Sequence, residues 1–296
     1  MSNIFHSVMS ISIQDLFIKN ALEFLKKGKV IAFPTDTVYG LGVALNFPGA
    51  ESQIYTLKQR DPRKPLVVYV NELKDIEKVS GLALSAQEKI LAEKFFPGPI
   101  TLLVNHANPQ FLQKYLGFRI ISSPVLKKLI QDAGPLLGTS ANISNFPPAI
   151  VSDEVLEDFS DKDIYVIPGQ CDYGLESTVI SADPLKIYRE GIISKKMISN
   201  VIPGVIDCVC TQRSFDNYVK IYTVKSQSHL NEFLEFHPDF QGIICHYPRP
   251  RDFYPTLRKA LRAIKSEVIF LYDSHTSMYP ELSSYLTPYT FNPIKL

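Results

Sequence analysis

The chain has 296 residues, 45% of them hydrophobic, which is enough to bury a substantial core and, on length, points to about two domains. Its formal net charge of +1 excludes a globally basic nucleic-acid binder, so any anion site must be built from local clusters. Cys171, Cys208, Cys210 and Cys245 form no CxxC pair, against both a zinc site and a disulfide framework; no apolar run approaches the ~18 residues of a membrane helix, and the first residues lack a basic-then-apolar leader, so a cytoplasmic protein with reduced thiols is expected.

In chain order, Asp15 to Lys27 places Leu16, Leu22 and Leu25 at helical spacing, and Gly28 supplies the stop. Val30 to Phe33 reads as a short buried strand, after which Pro34 opens a loop carrying Thr35, Asp36 and Thr37. Strand ends of this kind commonly carry chemistry in α/β domains. Ala50 to Lys58 is a predicted helix and Pro65 to Val70 a predicted strand, so the basic stretch Lys58, Arg60, Arg63 and Lys64 joins two rigid elements. Ser85 to Phe96 begins with a Ser cap and stops at Pro97, Gly98 and Pro99, before a strand from Ile100 to Val104. A strand from Phe118 to Ile121, a helix from Val125 to Asp132, and strands at Leu136 to Thr139, Ile164 to Ile167 and Thr178 to Ser181 complete a first domain, 1–202. A linker is expected over 203–218. From Val219 to Tyr272 the pattern restarts as strand, helix, strand, helix, strand, a small βαβαβ unit placed in a second domain, 219–296.

Lys58, Arg60 and Lys64 lie within seven residues, in a loop stiffened by Pro62 and Pro65, so several cations can converge on one polyanion at low ordering cost. Taken alone the stretch reads first as a solvated basic loop. There is no GxxxxGK[ST] loop and no GxGxxG after a strand, so a nucleotide would have to be held by side chains and scattered backbone donors. Ser140 and Asn142 in GTSANIS offer short polar groups on a turn, although alone the motif reads first as an ordinary turn or helix cap. Thr35 and Ser177, in LESTVI, present hydroxyls that can donate to a carboxylate or accept from an ammonium group. Arg119 suits a bidentate carboxylate contact, or a structural ion pair with a helix acid.

As a set, PTDTVYGLG, KQRDPRKPL, GTSANIS, LESTVI and the Arg189 of YREG resemble the threonylcarbamoyl-AMP synthases, the YrdC-like enzymes, over about Gly28 to Ile193. The resemblance implies a twisted, mostly parallel sheet with flanking helices around a basic cavity, with the small Rossmann-like unit appended. It implies contacts to L-threonine from Thr35, Tyr69, Arg119 and Ser177, and to ATP from Lys58, Arg60, Lys64, Ser140, Asn142 and Arg189, with Lys58 and Arg60 at the reacting phosphate. Tyr69 stands where the family commonly has His, and Tyr115 where a small Thr is usual. The two-domain form also carries a linker across the active site; its best match is Ser214 to Lys225, of which Tyr222 is placed over ATP.

The implied reaction joins threonine, bicarbonate or carbon dioxide, and ATP, with Mg2+ arriving on the ATP and no dedicated protein metal site. Its product would pass to separate proteins that modify tRNA, without a requirement for tight tRNA binding here. A carbamoyl-AMP-forming hydrogenase-maturation domain is a rival, but the zinc-finger cysteines and acylphosphatase-like segment of those proteins are lacking. The rival from another class is a non-catalytic RNA-binding module, against which stand the near-neutral charge and the lack of an aromatic and basic stripe. The C-terminal unit is expected to act as a movable cover, leaving a folded first domain when removed.

Overall fold

A computed structural model describes residues 13–111, 113–205, 219–224, 226–246, 248–263 and 267–271. Helix α1 (Ile13–Lys26) ends at Gly28, whose φ of +68° needs a residue without a β-carbon. Then come strand β1 (Ile31–Phe33), strand β2 (Gly40–Ala44), helix α2 (Glu51–Lys58), strand β3 (Val67–Tyr69), helix α3 (Leu73–Ser80) and helix α4 (Ala86–Phe95). The Ser85 hydroxyl accepts from the Glu88 N–H while the Glu88 carboxylate accepts from the Ser85 N–H, so the expected Ser cap is reciprocal. Strands β4 (Ile100–Asn105) and β5 (Tyr115–Arg119), helix α5 (Pro124–Ala133), strand β6 (Leu136–Ser140), helix α6 (Ser152–Asp158), strands β7 (Tyr165–Val166), β8 (Thr178–Ala182) and β9 (Leu185–Arg189), and helix α7 (Lys195–Ser199) follow.

These nine strands form one sheet in the order β7-β1-β2-β6-β3-β5-β4-β8-β9. The α/β class with flanking helices is as expected, but the sheet is more mixed than the mostly parallel one anticipated. Pairs β7–β1, β3–β5 and β4–β8 are parallel and the rest antiparallel. The physical reason lies in the connections. β1–β2, β4–β5 and β8–β9 are joined by loops too short for the crossover a parallel pair requires. Strand β2 carries no strand signal in the sequence because of its glycines, which the fold requires: a β-carbon at Gly40 or Gly42 would fall 2.8 Å from the Phe33 ring lying across the strand.

The faces of the sheet are covered by different layers. Ile31, Phe33, Ala44, Tyr69 and Leu136 pack on one side beneath α1 and α5, through Leu25, Leu126 and Leu129. Val30, Ala32, Leu41, Val43, Val68, Leu102 and Phe118 belong to the larger core on the other side. Each such buried aliphatic or aromatic side chain contributes about 1.5–3 kcal/mol.

The C-terminal unit is the parallel βαβαβ arrangement expected: strand β10 (Lys220–Val224), helix α8 (Gln227–Phe236), strand β11 (Ile243–His246), helix α9 (Phe253–Arg262) and strand β12 (Glu267–Leu271), in sheet order β10-β12-β11. Alternation along β12 splits its two faces. Ile269 and Leu271 join Leu230 and Phe233 of α8, while Val268 and Phe270 join Phe253, Tyr254 and Leu257 in the same core as the large sheet. The unit expected to act as a movable cover thus shares a core with the large sheet. Helix α9 lies against α6 and the loop before it: Arg258 donates to Pro147 O at 2.7 Å, Glu154 O at 3.2 Å and Asp158 Oδ1 at 2.6 Å, with its guanidinium 5.3 Å from the Phe146 ring centroid. Most of the expected linker, 206–218 with Ser214, lies outside the described residues.

Candidate active site

Strand β1 delivers its chain into Pro34 and then a tight turn. There the Thr35 hydroxyl accepts from the Thr37 N–H at 3.0 Å and donates to Val38 O at 2.6 Å. Across the sheet, Arg119 ends β5. Its guanidinium donates to the Thr37 hydroxyl at 2.9 Å and pairs with Asp36 Oδ1, so its structural partner is a loop carboxylate rather than the helix acid considered from sequence. The pairing is incomplete: Arg119 Nε and Asp36 Oδ2 are buried and lack hydrogen-bond partners. Buried orphans of this kind are costly and often mark a place where a ligand completes the network.

Tyr69 is the β3 neighbour of Arg119. Its ring meets Phe33 edge-on at 5.4 Å and lies 6.0 Å from the Arg119 guanidinium. Burial pushes its phenol above the ordinary range, only partly offset by Arg119, so it stands here as a neutral group beside the cation. Tyr115 is at the opposite end of β5, donating to Asp183 O at 3.4 Å.

A second group forms where β8 begins. The Ser177 and Thr101 hydroxyls share a hydrogen bond of 2.8 Å. Arg189, the last residue of β9, donates from Nε to Ser177 O at 3.1 Å, from one terminal nitrogen to Ser177 Oγ at 3.2 Å and from the other to Glu176 Oε1 at 2.5 Å. The segment is stitched to the first group by Tyr173 N–H to Asp36 O at 2.9 Å and Gly174 N–H to Thr37 O at 3.0 Å.

The third group surrounds Lys58, which is not the exposed loop cation the sequence suggested. It is the last residue of α2, 1% exposed, and its ammonium donates to Ser140 O at 2.5 Å, Asn142 O at 2.7 Å and Asn142 Oδ1 at 2.9 Å. The Ser140 hydroxyl donates to the same Asn142 oxygen at 2.7 Å, and the Asn142 amide donates to Ile143 O and Phe146 O. Lys58 therefore organises the loop after β6. Burial, then the Arg60 charge, pushes its pKa down to about 7, against the opposing pull of Glu176 and Asp158. Arg60 is depressed by burial and by Arg189; its terminal nitrogen donates to Pro65 O at 3.1 Å, and its buried Nε has no partner. Cations depressed by burial and by a neighbouring positive charge are stabilised by an arriving polyanion.

Lys58, Arg60, Ser140, Asn142 and Arg189 are thus brought together, as are Thr35, Tyr69 and Arg119, with Ser177 bridging to Arg189. Lys64 is exposed on the loop, and Arg63 is engaged by Asp61 at 2.7 Å. Tyr222 does not join the set. It lies on β10, donates to Glu267 at 3.2 Å and packs on Phe233 with centroids 4.8 Å apart, because Lys220–Val224, within the stretch matched to the linker, is the first strand of the C-terminal sheet. Residues missed from sequence are Asp36, Thr37 and Glu176, which sat inside the quoted motifs, and Thr101 and Tyr254, which had no local signal; Tyr254 donates to Glu176 Oε2 at 3.0 Å. Among the described residues no three His, Cys, Asp or Glu side chains gather as a metal cage, and Asp36 and Glu176 are each paired to an arginine.

A family profile described as Telomere recombination, Sua5_yciO_yrdC, matches residues 23–191. The chain belongs to the Sua5/YciO/YrdC family. A relative from Methanocaldococcus jannaschii named putative threonylcarbamoyl-AMP synthase is 37% identical over 188 residues, 59% of this chain and 87% of that protein. The Bacillus subtilis threonylcarbamoyl-AMP synthase is 32% identical over 203 residues, covering 65% of this chain and 58% of its own length, so the match spans little more than half of that longer relative. In fold, the chain is similar to Pyrococcus abyssi Sua5 complexed with L-threonine, with a TM-score of 0.80 at 21% identity, over 94% of this chain and 96% of that one. The Sua5/YciO/YrdC match covers the three groups described above, and the fold likeness extends through the C-terminal unit.

Proposed function

We propose that this chain synthesises threonylcarbamoyl-AMP from L-threonine, bicarbonate or carbon dioxide, and ATP, releasing pyrophosphate. The observation that carries the reading is the junction around Ser177, where Arg189, the neighbour of Arg60 and through it of Lys58, grips the segment stitched to an incompletely satisfied arginine–carboxylate pair fit for a small zwitterion. The names of the relatives and the threonine complex of Sua5 support the same chemistry.

In this reading Arg119 holds the threonine carboxylate, and the Thr35 oxygen accepts from the substrate's amine or hydroxyl. The neutral amine nitrogen attacks the carbon of carbon dioxide, forming an N–C bond and releasing one proton to give a carbamate. A carbamate oxygen then attacks the α-phosphorus, and the bond from that phosphorus to the bridging oxygen breaks as pyrophosphate leaves. Lys58, Arg60 and Arg189 stabilise the developing phosphate charge, and the fixed geometry brings the two substrates together, so no protein nucleophile is needed. Lys64 meets the triphosphate from the loop exterior. The described carboxylates do not fit a resident Mg2+, so the ion is part of the ATP substrate, and no step is assigned to it. The acyl adenylate would be consumed by a separate tRNA-modifying transferase, in the cytoplasm, where ATP and tRNA meet. No described helix is long and apolar enough to cross a membrane.

The test is pyrophosphate release with ATP, magnesium, bicarbonate and each amino acid in turn, with mass detection of the adenylate. Release dependent on threonine supports the reading. Salt-dependent RNA binding without release would favour the non-catalytic alternative, against which stand the net charge of +1 and the synthase names of the relatives.

A further inference from the structure

Helix α9 belongs to the C-terminal unit, yet its Tyr254 reaches the segment that carries Ser177. The contact forms a continuous series. Tyr254 Oη donates to Glu176 Oε2 at 3.0 Å, Glu176 Oε1 accepts from Arg189 at 2.5 Å, and Arg189 donates to the Ser177 hydroxyl at 3.2 Å and carbonyl at 3.1 Å. We infer that Tyr254 is a positioning residue of the site, fixing Glu176 so that Arg189 and Ser177 are held in the orientation the substrates require.

The exposure of each member shows why a tether is needed. The Arg189 side chain is 40% exposed, so packing alone does not select its rotamer. A carboxylate with one oxygen on Arg189 and the other fixed has lost the rotation that would let the pair swing into solvent. Tyr254 is 0% exposed, with its ring against Phe253 at a centroid distance of 5.2 Å, and can serve as the rigid end. The backbone confines the same segment from both sides. A β-carbon at Gly191 would fall 2.2 Å from Glu176 O, and one at Gly174, where φ is +74°, would fall 2.5 Å from Arg251 Cα. Glycine at these points lets the C-terminal unit and the β9 end close on residues 174–177. Glu176 also lies within electrostatic reach of Lys58, so moving it would alter the cation cluster as well as Arg189.

The inference rests on the synthase reading, and the experiment separates the two. Tyr254→Phe in the full chain removes the hydroxyl and keeps the ring. Pyrophosphate release at varied ATP and threonine is compared with Kd for ATP by calorimetry and with the thermal midpoint. The expected result is a rise of about three- to tenfold in KM and Kd for ATP, with the thermal midpoint nearly unchanged. Glu176→Gln should act in the same direction, and the double variant should be no worse than the more affected single one. Arg262→Ala, which removes a neighbouring α9 contact to Glu157 and Asp158 but touches no member of the series, should leave both constants as in the parent. Unchanged ATP constants in Tyr254→Phe, full additivity with Glu176→Gln, or an equal effect from Arg262→Ala would each overturn the inference. If the parent binds ATP but releases no pyrophosphate, the synthase reading fails while the binding comparison still decides the role of Tyr254; a parent that binds no ATP overturns both.

Discussion

Replacing Arg258 by Met tests how firmly the C-terminal unit is built into the molecule. Arg258 is 1% exposed, and three of its hydrogen bonds cross from α9 to Pro147, Glu154 and Asp158. The methionine fills much of the space but leaves the buried Asp158 carboxylate, itself 7% exposed, with Arg262 at 3.5 Å as its remaining ion pair. Removing one member of a buried ionic cluster costs about 3–5 kcal/mol, which at 2–4 °C per kcal/mol for a chain of roughly this size is a fall of about 6–20 °C in thermal midpoint. Arg262→Ala is the comparison, because its pair with Glu157 joins partly exposed side chains and such pairs contribute about 0–1 kcal/mol. Calorimetric melts of the full chain read both variants. A single cooperative transition for the parent, strongly lowered in Arg258→Met, is expected; a shift under about 2 °C would refute the claim that this arginine clamps the two units. Truncation after Ile202 should for the same reason yield a poorly folded fragment, since it uncovers the core shared with Phe253, Tyr254 and Leu257.

Lys58→Met should depress ATP turnover by at least about tenfold, because the carbonyls of Ser140 and Asn142 lose a charge-assisted donor worth about 1.5–3 kcal/mol; unchanged kinetics would remove Lys58 from the site. Lys58 is a base whose folded pKa, about 7, lies below its ordinary value, so the unfolded chain binds its proton more tightly and this group's contribution to stability rises with pH from about 7 towards 10.5. A polyanion reverses part of that depression, so ATP binding at pH 8 should take up protons and weaken as pH rises; calorimetry in buffers of different ionisation enthalpy reads the uptake, and a value of zero would contradict the placement of phosphate beside this lysine. Arg119→Lys, which loses the fork that spans Asp36 and Thr37, should raise KM for threonine about tenfold or more with a smaller effect on ATP, and equal loss of both substrates would indicate a collapsed site instead. Ser177→Ala removes the hydroxyl shared by Thr101 and Arg189 and should weaken both substrates, unlike the threonine-selective loss expected when Ser177 is read from its motif alone.

The alternation of helices and strands and the βαβαβ restart were legible because each element carries its own period and its own stop, such as Gly28 after α1 and the Ser85 cap of α4. The pairing pattern was not, since it depends on β2, a glycine-rich strand made possible by the Phe33 ring that crosses it. Motif residues were legible as a set, but their local state was not. One signal for Lys58 was present and unused: Ile54 and Lys58 are spaced i, i+4 on α2 and both are buried, so the lysine shares the inward face of its helix. Asp36 stood in plain view in its motif, yet its role depends on Arg119, 83 residues away, and no local pattern reports a partner at that distance.

The C-terminal unit marks the sharper limit. Its sequence carries no phosphate loop and no site motif, and on that ground it reads as an accessory; yet the face of β12 that holds Val268 and Phe270 enters the main core, and α9 supplies Arg258 to the loop after Asn142 and Tyr254 to Glu176. The Tyr254 contact reaches the site from outside its motifs, and Arg258 docks the helix that carries it. A motif search finds groups that touch substrate, because their chemistry restricts residue type over a short span. Groups that hold those residues in place need only a hydroxyl or a guanidinium at the right point in space, which any segment of the chain can supply. The Tyr254 and Arg258 variants therefore ask one question at two strengths: whether the orientation of Arg189 can be lost while docking is kept, or whether the two units hold their positions only together.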